Sequence, residues 1–223
     1  MAKIFAITGG PGTGKTSVVN ELEKQGFRIL KEAARWVSEN DIRFRGKNIL
    51  EINKKDFHEA IFDHQKFLLN FCGLKIPSGI FKFQKKQIID NSGRYMTFSP
   101  EFSNKTISTE NHTTHEIVYN KLKGDEIVFS DRGIGDTIAY YKLAGLKISE
   151  EKMEFARKFR YNKIFVLDFL SFYQKDKLRQ ESKKEQEKIH NEIIRTYEEL
   201  GYSLIYVPFM SVKERVRFIL ERV

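Results

Sequence analysis

The sequence predicts an α/β fold in which helices cover both faces of a five-stranded parallel sheet. Two observations indicate this fold. Short, almost uniformly apolar runs recur along the 223 residues, and segments with apolar residues at helical spacing lie between them. Strands that are apolar on both faces are typical of parallel sheets buried between helices. We therefore expect a single domain over 1–223.

Each predicted strand is a short apolar run bounded by glycine, charged or polar residues. The five runs are KIFAIT (3–8), the start of FRILKEAAR (27–35), EIVFSDRG (126–133), NKIFVLDF (162–169) and SLIYVP (203–208). Ligands of such sheets bind where the carboxyl ends of the strands meet. Functional residues are therefore expected directly after these runs.

Apolar spacing predicts helices after the first strand (TSVVNELEKQG, with Gly26 as its cap), over 54–72 and over 183–200. A final helix opens with Ser211 and Glu214 at capping-box spacing. The side chains expected to face inward are Val18, Val19 and Leu22 in the first helix, Phe57, Ile61, His64 or Gln65, and Leu68 in the second, Ile189, Ile193, Tyr197 and Leu200 in the third, and Val212, Val216, Ile219 and Leu220 in the last.

Residues 73–123 interrupt the alternation of strands and helices. Within them, IFKFQKKQIIDNSGRYMTF predicts a β-hairpin around 91–93, and a polar stretch follows at about 99–115. The segment contains eight Lys or Arg residues against four Asp or Glu residues. It is therefore interpreted as a basic insertion in an otherwise compact domain.

Composition limits the class of protein. The single cysteine, Cys72, excludes an internal disulfide framework and a cysteine-based zinc site, and suits a reducing compartment. The sequence shows no N-terminal signal pattern and no apolar run near the ~18 residues of a membrane span. We expect a cytoplasmic protein. The net charge of +9 is compatible with an anionic partner or with a solvated basic surface, and it does not distinguish the two.

A glycine-rich segment between the first strand and the first helix matches G-x-x-x-x-G-K-[ST] in full. In such a loop, glycines let successive backbone N–H groups surround a phosphate, and the helix N-terminus adds partial positive charge. The residues predicted to bind the nucleotide are Gly9, Gly10, Pro11, Gly12, Thr13, Gly14, Lys15, Thr16 and Ser17. The motif predicts a site for ATP or GTP.

Two residues of this loop have predicted roles in chemistry. The motif places Lys15 on the β- and γ-phosphates and the Thr16 hydroxyl on Mg²⁺. Asp131, at the end of a predicted strand, is the second expected magnesium ligand, acting through water as a Walker-B acid does. The alternative role for Asp131 is that of N-cap for the helix that begins near GIGDT. Arg132 is predicted to contact a phosphate or to form an ion pair with its neighbour Asp131.

Three further residues are candidates for the acceptor side and for transfer. Glu32 follows the second strand, where a carboxylate in small P-loop kinases orients or deprotonates the attacking hydroxyl. Arg35 is predicted to bind the acceptor. A solvated carboxylate at the strand end is the alternative for Glu32. Arg179, in DKLRQE, is expected to reach the transition state from a lid-like segment at about 171–184.

The chain resembles the nicotinamide-riboside-kinase-like P-loop proteins, a group of small "AAA domain" ATPases. The matching segments are GGPGTGKTS (9–17), KEAAR (31–35), DRGIGDTIAYYKLAG (131–145), DKLRQE (176–181) and TYEELGYSLIYVP (196–208). The resemblance covers nearly the whole chain except about 73–123. It implies a P-loop NTPase fold of the kinase type, nucleotide binding and phosphotransfer, and it does not imply one acceptor.

Three functions follow from these residues. The leading one is a Mg²⁺-dependent kinase that transfers the γ-phosphoryl group of ATP to a small, nucleoside- or nucleotide-like acceptor. The second is a nucleotide-dependent switch or binding module with slow hydrolysis. The third is a polynucleotide kinase, because aromatic and basic residues interleave in the insertion in a way that suits single-stranded nucleic acid. Alternating apolar residues in a hairpin also form its buried face, so this pattern leaves both readings open.

Overall fold

The structure, a computed structural model, describes residues 2–41, 43–48, 51–71, 88–89, 95–96, 126–169 and 182–223. The chain divides into two compact units, residues 1–74 with 121–223, and residues 75–120. In chain order the elements are β1 (Lys3–Thr8), α1 (Lys15–Lys24), β2 (Arg28–Leu30), α2 (Ala33–Asn40), α3 (Lys54–Phe71), β3 (Ile88–Ile89), β4 (Tyr95–Met96), β5 (Ile127–Asp131), α4 (Ile134–Leu143), α5 (Glu150–Lys158), β6 (Lys163–Leu167), α6 (Lys183–Glu199), β7 (Leu204–Val207) and α7 (Val212–Leu220).

The five-stranded parallel sheet is confirmed. Its strand order is β2-β5-β1-β6-β7, and every pair of neighbours is parallel. Strand β1 lies in the centre, with Ile7 opposite Asp131 of β5 and Thr8 opposite Val166 of β6. The loops that follow β1, β5 and β6 therefore emerge side by side at the carboxyl edge of the sheet.

Helices cover both faces of this sheet, because alternate side chains of β1 pack against different helices. On one face, Phe5 and Ile7 share a buried core with Leu22 of α1 and Ile219 of α7. On the other face, the hydroxyl of Thr8 donates a hydrogen bond to a side chain of α4. The phosphate-binding motif thus continues from the most central strand of the unit.

The second unit contributes one described feature. Strands β3 and β4 pair in antiparallel fashion, with Ile88 opposite Met96 and Ile89 opposite Tyr95. This pairing agrees with the predicted hairpin. The turn at 91–93, the polar stretch and Cys72 lie outside the described residues.

Local signals predicted the helix ends correctly. Gly26 has φ 91° after α1, a left-handed conformation that glycine adopts without strain. At α7, the Ser211 N–H donates to Glu214 and the Glu214 N–H donates to the Ser211 hydroxyl, which is the predicted capping box. No helix in the described part of the chain is both long and apolar enough to cross a membrane.

The predicted inward faces of α6 and α7 are partly wrong. In α6, His190 is buried whereas Ile189 is only half-buried. In α7, Arg215 is buried whereas Val212 is 37% exposed. The reason is that both helices turn a polar residue toward the glycine-rich loop, so each apolar stripe is displaced to make room for a hydrogen-bonded side chain.

Candidate functional site

The loop between β1 and α1 uses glycine where the backbone demands it. Gly9, Gly12 and Gly14 have φ angles of 135°, 81° and 80°, a region that L-residues with a side chain rarely adopt. A Cβ atom on Gly9 would also lie 2.8 Å from the carbonyl oxygen of Leu167. The loop is thus a close-packed turn whose glycines cannot be replaced without strain.

Lys15 lies inside this loop. It is 8% exposed, and its Nζ donates hydrogen bonds to Gly9 O at 2.7 Å, Gly10 O at 2.6 Å and Thr13 Oγ1 at 3.3 Å. Burial, and next the charge of nearby Arg132, lower the pKa of Lys15 from 10.5 to about 7. An anionic group bound in the loop would raise that pKa again.

This pKa predicts that the loop takes up a proton when it binds a nucleotide. At pH 8 the Lys15 amine is mostly neutral before binding and charged beside the phosphates. ATP binding at pH 8 should therefore take up a substantial fraction of one proton. Titration calorimetry in buffers of different ionisation enthalpy measures this uptake. Lys15→Arg, which stays charged at any pH, should show none; an uptake of zero in the wild type would contradict the placement of Lys15.

Asp131 ends β5, directly beside β1. The helix α4 that follows has Gly133 as its N-cap, so the alternative capping role of Asp131 is wrong. Burial, and next the charge of Glu32, raise the pKa of Asp131 from 3.8 to about 6. A raised carboxylate pKa beside a phosphate-loop motif makes Asp131 a candidate functional-site residue.

The donor set of the site suits magnesium bound with a nucleotide. Thr16 and Ser17 are exposed in the first turn of α1, so their hydroxyls are accessible beside the loop. Hydroxyl and carboxylate oxygens are ligands that Mg²⁺ accepts, and it keeps waters and phosphate oxygens for its other positions. Within the described residues, no three His, Cys, Asp or Glu side chains form a metal cage of their own. Thr16 and Asp131 therefore fit a metal shared with phosphate.

Asp131→Asn is expected to stabilise the fold while impairing chemistry. Because the folded pKa of Asp131 lies above the unfolded value, the group lowers stability as the pH rises from 3.8 to about 6. Without nucleotide or Mg²⁺, the variant should be more stable at pH 7 by about 1–3 kcal/mol and unchanged below pH 3.8. Its Mg²⁺-dependent turnover should fall by about 10- to 100-fold. Thermal unfolding without ligand checks the first part, and an assay of Mg²⁺-ATP turnover checks the second; a destabilised variant at pH 7 would contradict the first.

Glu32 and Arg132 form an ion pair at the edge of the sheet. Glu32 precedes α2, and its Oε1 accepts a hydrogen bond from Arg132 Nε at 2.6 Å. Arg132 has the left-handed φ of 67°, a backbone conformation that residues with a side chain seldom adopt. Burial opposes its charge, yet Tyr140 and the carboxylates around it outweigh burial and raise the pKa of Arg132. Arg132 thus forms ion pairs with Glu32 and Asp136 rather than the predicted pair with its neighbour Asp131.

Asp136 is a functional-site residue that the sequence analysis missed. It is 1% exposed and accepts hydrogen bonds from Thr8 Oγ1 at 2.6 Å, Gly133 N at 2.9 Å and Tyr197 Oη at 2.7 Å. Its Oδ1 also lies 3.4 Å from Arg132 Nη1. Its position three residues after Gly133, in the first turn of a helix, was the available signal. Asp136 joins β1, α4 and α6 behind the Glu32–Arg132 pair.

His190 is the second missed residue. The Gly10 N–H donates a hydrogen bond to His190 Nδ1 at 3.0 Å, and the ring packs against Phe169 at 4.6 Å between centroids. Burial lowers the pKa of His190, which favours the neutral ring whose Nδ1 can accept. The oxygen of the same peptide, Gly9 O, accepts a hydrogen bond from Lys15. Lys15 and His190 therefore bind the two ends of one peptide group, Lys15 at its oxygen and His190 at its N–H.

The remaining candidates have different placements. Arg35 lies in α2, one turn after Glu32, with an exposed side chain, and its binding role stays a prediction. Arg179 and most of the lid-like segment 171–184 lie outside the described residues. The structure therefore brings Asp131, Glu32 and Arg132 near enough to Lys15 for their charges to act on its pKa.

A comparison with models of protein families shows to which family the chain belongs. Residues 4–68 and 90–215 match the model of the AAA_28 family, described as "AAA domain". The chain belongs to this family. The match confirms the family predicted from the sequence, and it includes Lys15, Glu32, Asp131 and Arg132. Among curated protein sequences, none matches the chain significantly.

Solved structures of kinases share the fold of this AAA-domain chain. NadR protein in complex with NR is 18% identical with a TM-score of 0.55, over 99% of this chain and 50% of NadR. The chain thus spans about half the length of that protein. Thymidylate kinase from Ehrlichia chaffeensis is 10% identical with a TM-score of 0.53, over 99% and 97% of the two chains. Thymidylate kinase from Candida albicans is 11% identical with a TM-score of 0.52, over 99% and 90%. These likenesses show a kinase-type P-loop fold.

Proposed function

We propose that this AAA-domain chain is a Mg²⁺-dependent kinase that transfers the γ-phosphoryl group of ATP or GTP to a small nucleoside- or nucleotide-like acceptor. The observation that carries the proposal is the Glu32–Arg132 pair, held within electrostatic reach of Lys15 at the carboxyl edge of the sheet. A carboxylate and a guanidinium that follow the neighbouring strands β2 and β5 are suited to holding an acceptor in line with the transferred group.

The residues of the loop act on the nucleotide. Backbone N–H groups and the N-terminus of α1 bind the phosphates, and Lys15 stabilises the charge that develops on the transferred group. Thr16 and Asp131 are the proposed magnesium ligands, Asp131 through water. A magnesium ion held by these two residues would neutralise charge on the phosphates. Arg179 is proposed to reach the same group from the lid-like segment.

The residues that follow β2 and β5 are proposed to bind the acceptor. Glu32 is proposed to accept the proton of the attacking hydroxyl, or to orient it. Arg132 holds that carboxylate at 2.6 Å, and Asp136 holds Arg132 in turn. Since Arg132 is half-buried and always charged, it also offers a fixed positive group for a phosphate on the acceptor. Arg35 is proposed to contact the outer part of the acceptor.

Helices α2, α3 and α4 are proposed to form the outer part of the acceptor site. Trp36 stacks on His64 with ring centroids 3.9 Å apart and planes at 6°. Burial lowers the pKa of His64 to about 4, so its ring is neutral at physiological pH. Beside it, the Gln65 side chain is buried and accepts a hydrogen bond from Thr137. Flat neutral rings and an amide suit a planar, polar acceptor, which supports a nucleoside-like compound over an aliphatic alcohol.

The test is a direct assay of transfer. The protein is incubated with Mg²⁺ and γ-labelled ATP or GTP in the presence of nucleosides, nucleotides, aliphatic alcohols or single-stranded oligonucleotides. Labelled product and free phosphate are measured separately. We expect label in a nucleoside or nucleotide product. Transfer to oligonucleotides alone would support the polynucleotide reading, and free phosphate without any labelled acceptor would support a hydrolytic switch.

A further inference from the structure

Arg215 is a buried arginine that connects three loops at the carboxyl edge of the sheet. It lies in the first turn of α7 and is 1% exposed. Its Nη1 donates to Thr13 O at 2.6 Å, its Nη2 to Asp168 O at 3.1 Å and its Nε to Pro208 O at 3.2 Å. These carbonyls belong to the loops after β1, β6 and β7. One guanidinium thus joins the phosphate loop to the two neighbouring loops.

The energetics of this contact point to a role beyond packing. A guanidinium stays charged in proteins, and burying a charge is costly unless its hydrogen bonds are satisfied. In α7 the neighbouring buried positions are Val216 and Ile219, which pack apolar surface against the sheet. An apolar residue at 215 could serve packing equally well. An arginine at position 215 is explained by the three loop carbonyl oxygens to which it donates hydrogen bonds.

The contact with Thr13 fixes the direction of a peptide group in the phosphate loop. The peptide bonds of the described residues are all trans, so C=O and N–H of one peptide point in opposite directions. Because Thr13 O points at Arg215, the N–H of Gly14 on the same peptide points away from Arg215. Gly14 caps α1 with φ 80° and has no side chain to restrict rotation of that peptide. The hydrogen bond from Arg215, which lies outside the motif, restricts the rotation of this peptide.

We propose that Arg215 is a positioning residue of the nucleotide site: it orients the Gly14 N–H toward the phosphate groups without touching them. The proposal rests on the proposed nucleotide-binding function of the loop. It assigns the preorganisation of the phosphate loop to a residue 202 positions away along the chain. Preorganised N–H donors bind charge without reorganisation at the moment of binding, so loss of the anchor should weaken phosphate affinity.

The experiment uses two changes at Arg215 and a matched control on the same helix. Arg215→Met keeps much of the length and removes every donor, while Arg215→Lys keeps the charge and loses the fork that reaches three carbonyls. Val216→Ala removes buried apolar volume next to it and keeps the three hydrogen bonds of Arg215. Affinity for ATP and for tripolyphosphate is measured by calorimetry, and stability by thermal unfolding. The Gly14 amide is followed by NMR in ¹⁵N-labelled protein.

In the wild type, tripolyphosphate should move the Gly14 amide proton downfield. We expect Arg215→Met to bind both ligands roughly 10- to 100-fold more weakly and to show a smaller Gly14 shift, with Arg215→Lys intermediate. Val216→Ala should keep wild-type affinity and a wild-type Gly14 shift although it is less stable.

Wild-type affinity in Arg215→Lys and in Arg215→Met would overturn the inference, and so would an equal loss of affinity in Val216→Ala. If Arg215→Met does not fold, Arg215→Lys against Val216→Ala decides. A folded wild type that binds neither ATP nor tripolyphosphate would contradict the proposed function instead.

Discussion

Lys15→Ala is expected to reduce nucleotide turnover by at least about 10²-fold, the effect of removing one preorganised charge-stabilising group. The side chain is the one cation of the motif itself, and its Nζ lies within the loop that binds the phosphates. The fold should persist. The low pKa of Lys15 means that its charged form is disfavoured in the native structure, so alanine removes a buried charge rather than a stabilising ion pair.

Turnover, ATP titration and circular dichroism measure this outcome. Lys24→Ala is the matched control, because Lys24 lies in the last turn of the same helix with an exposed side chain. It should match the wild type in all three measurements. A Lys15→Ala protein with wild-type turnover would remove the glycine-rich loop from the active site.

Glu32→Gln is expected to separate transfer from nucleotide binding. Glutamine keeps the shape of the side chain, and its amide oxygen can still accept from Arg132, so the local structure should be retained. What is lost is the carboxylate that is proposed to receive the proton of the acceptor. Transfer to the acceptor should fall by roughly 10²–10⁴-fold, as is typical for loss of a general base. ATP affinity should change little, because the phosphates bind on the loop after β1.

The measurement is paired, with acceptor phosphorylation and background hydrolysis followed in the same samples. Glu23→Gln is the control: Glu23 is an exposed carboxylate in an ion pair with Lys31, and exposed pairs contribute little. Its activity should equal that of the wild type. Equal activity of wild type and Glu32→Gln in both assays would exclude Glu32 from the mechanism. That result would favour a water-activating switch that uses Asp131 over the kinase.

The sequence by itself determined the fold and the nucleotide loop of this protein. Both depend on short stretches of sequence. Apolar runs define the strands, and caps such as Ser211 and Gly26 define helix ends. The glycine motif is contiguous. The position of Asp131 at a strand end was likewise readable, because strand ends in a parallel sheet meet at one edge. Each of these features depends on residues within a few positions of one another.

Only the tertiary structure decided how the loop is held and which groups surround it. Arg215 reaches Thr13 across 202 positions, His190 reaches Gly10 across 180, and Tyr197 reaches Asp136 across 61. The sequence predicted that Tyr197 faces inward but not which residue it binds, whereas Arg215 and His190 sit on amphipathic helices where a polar residue is expected to face water. Their burial follows from the packing of α6 and α7 against the loop, where backbone carbonyls and N–H groups need partners. Such hydrogen bonds cannot be predicted from the spacing of apolar residues in the sequence, because each joins one side chain to one atom of a distant segment.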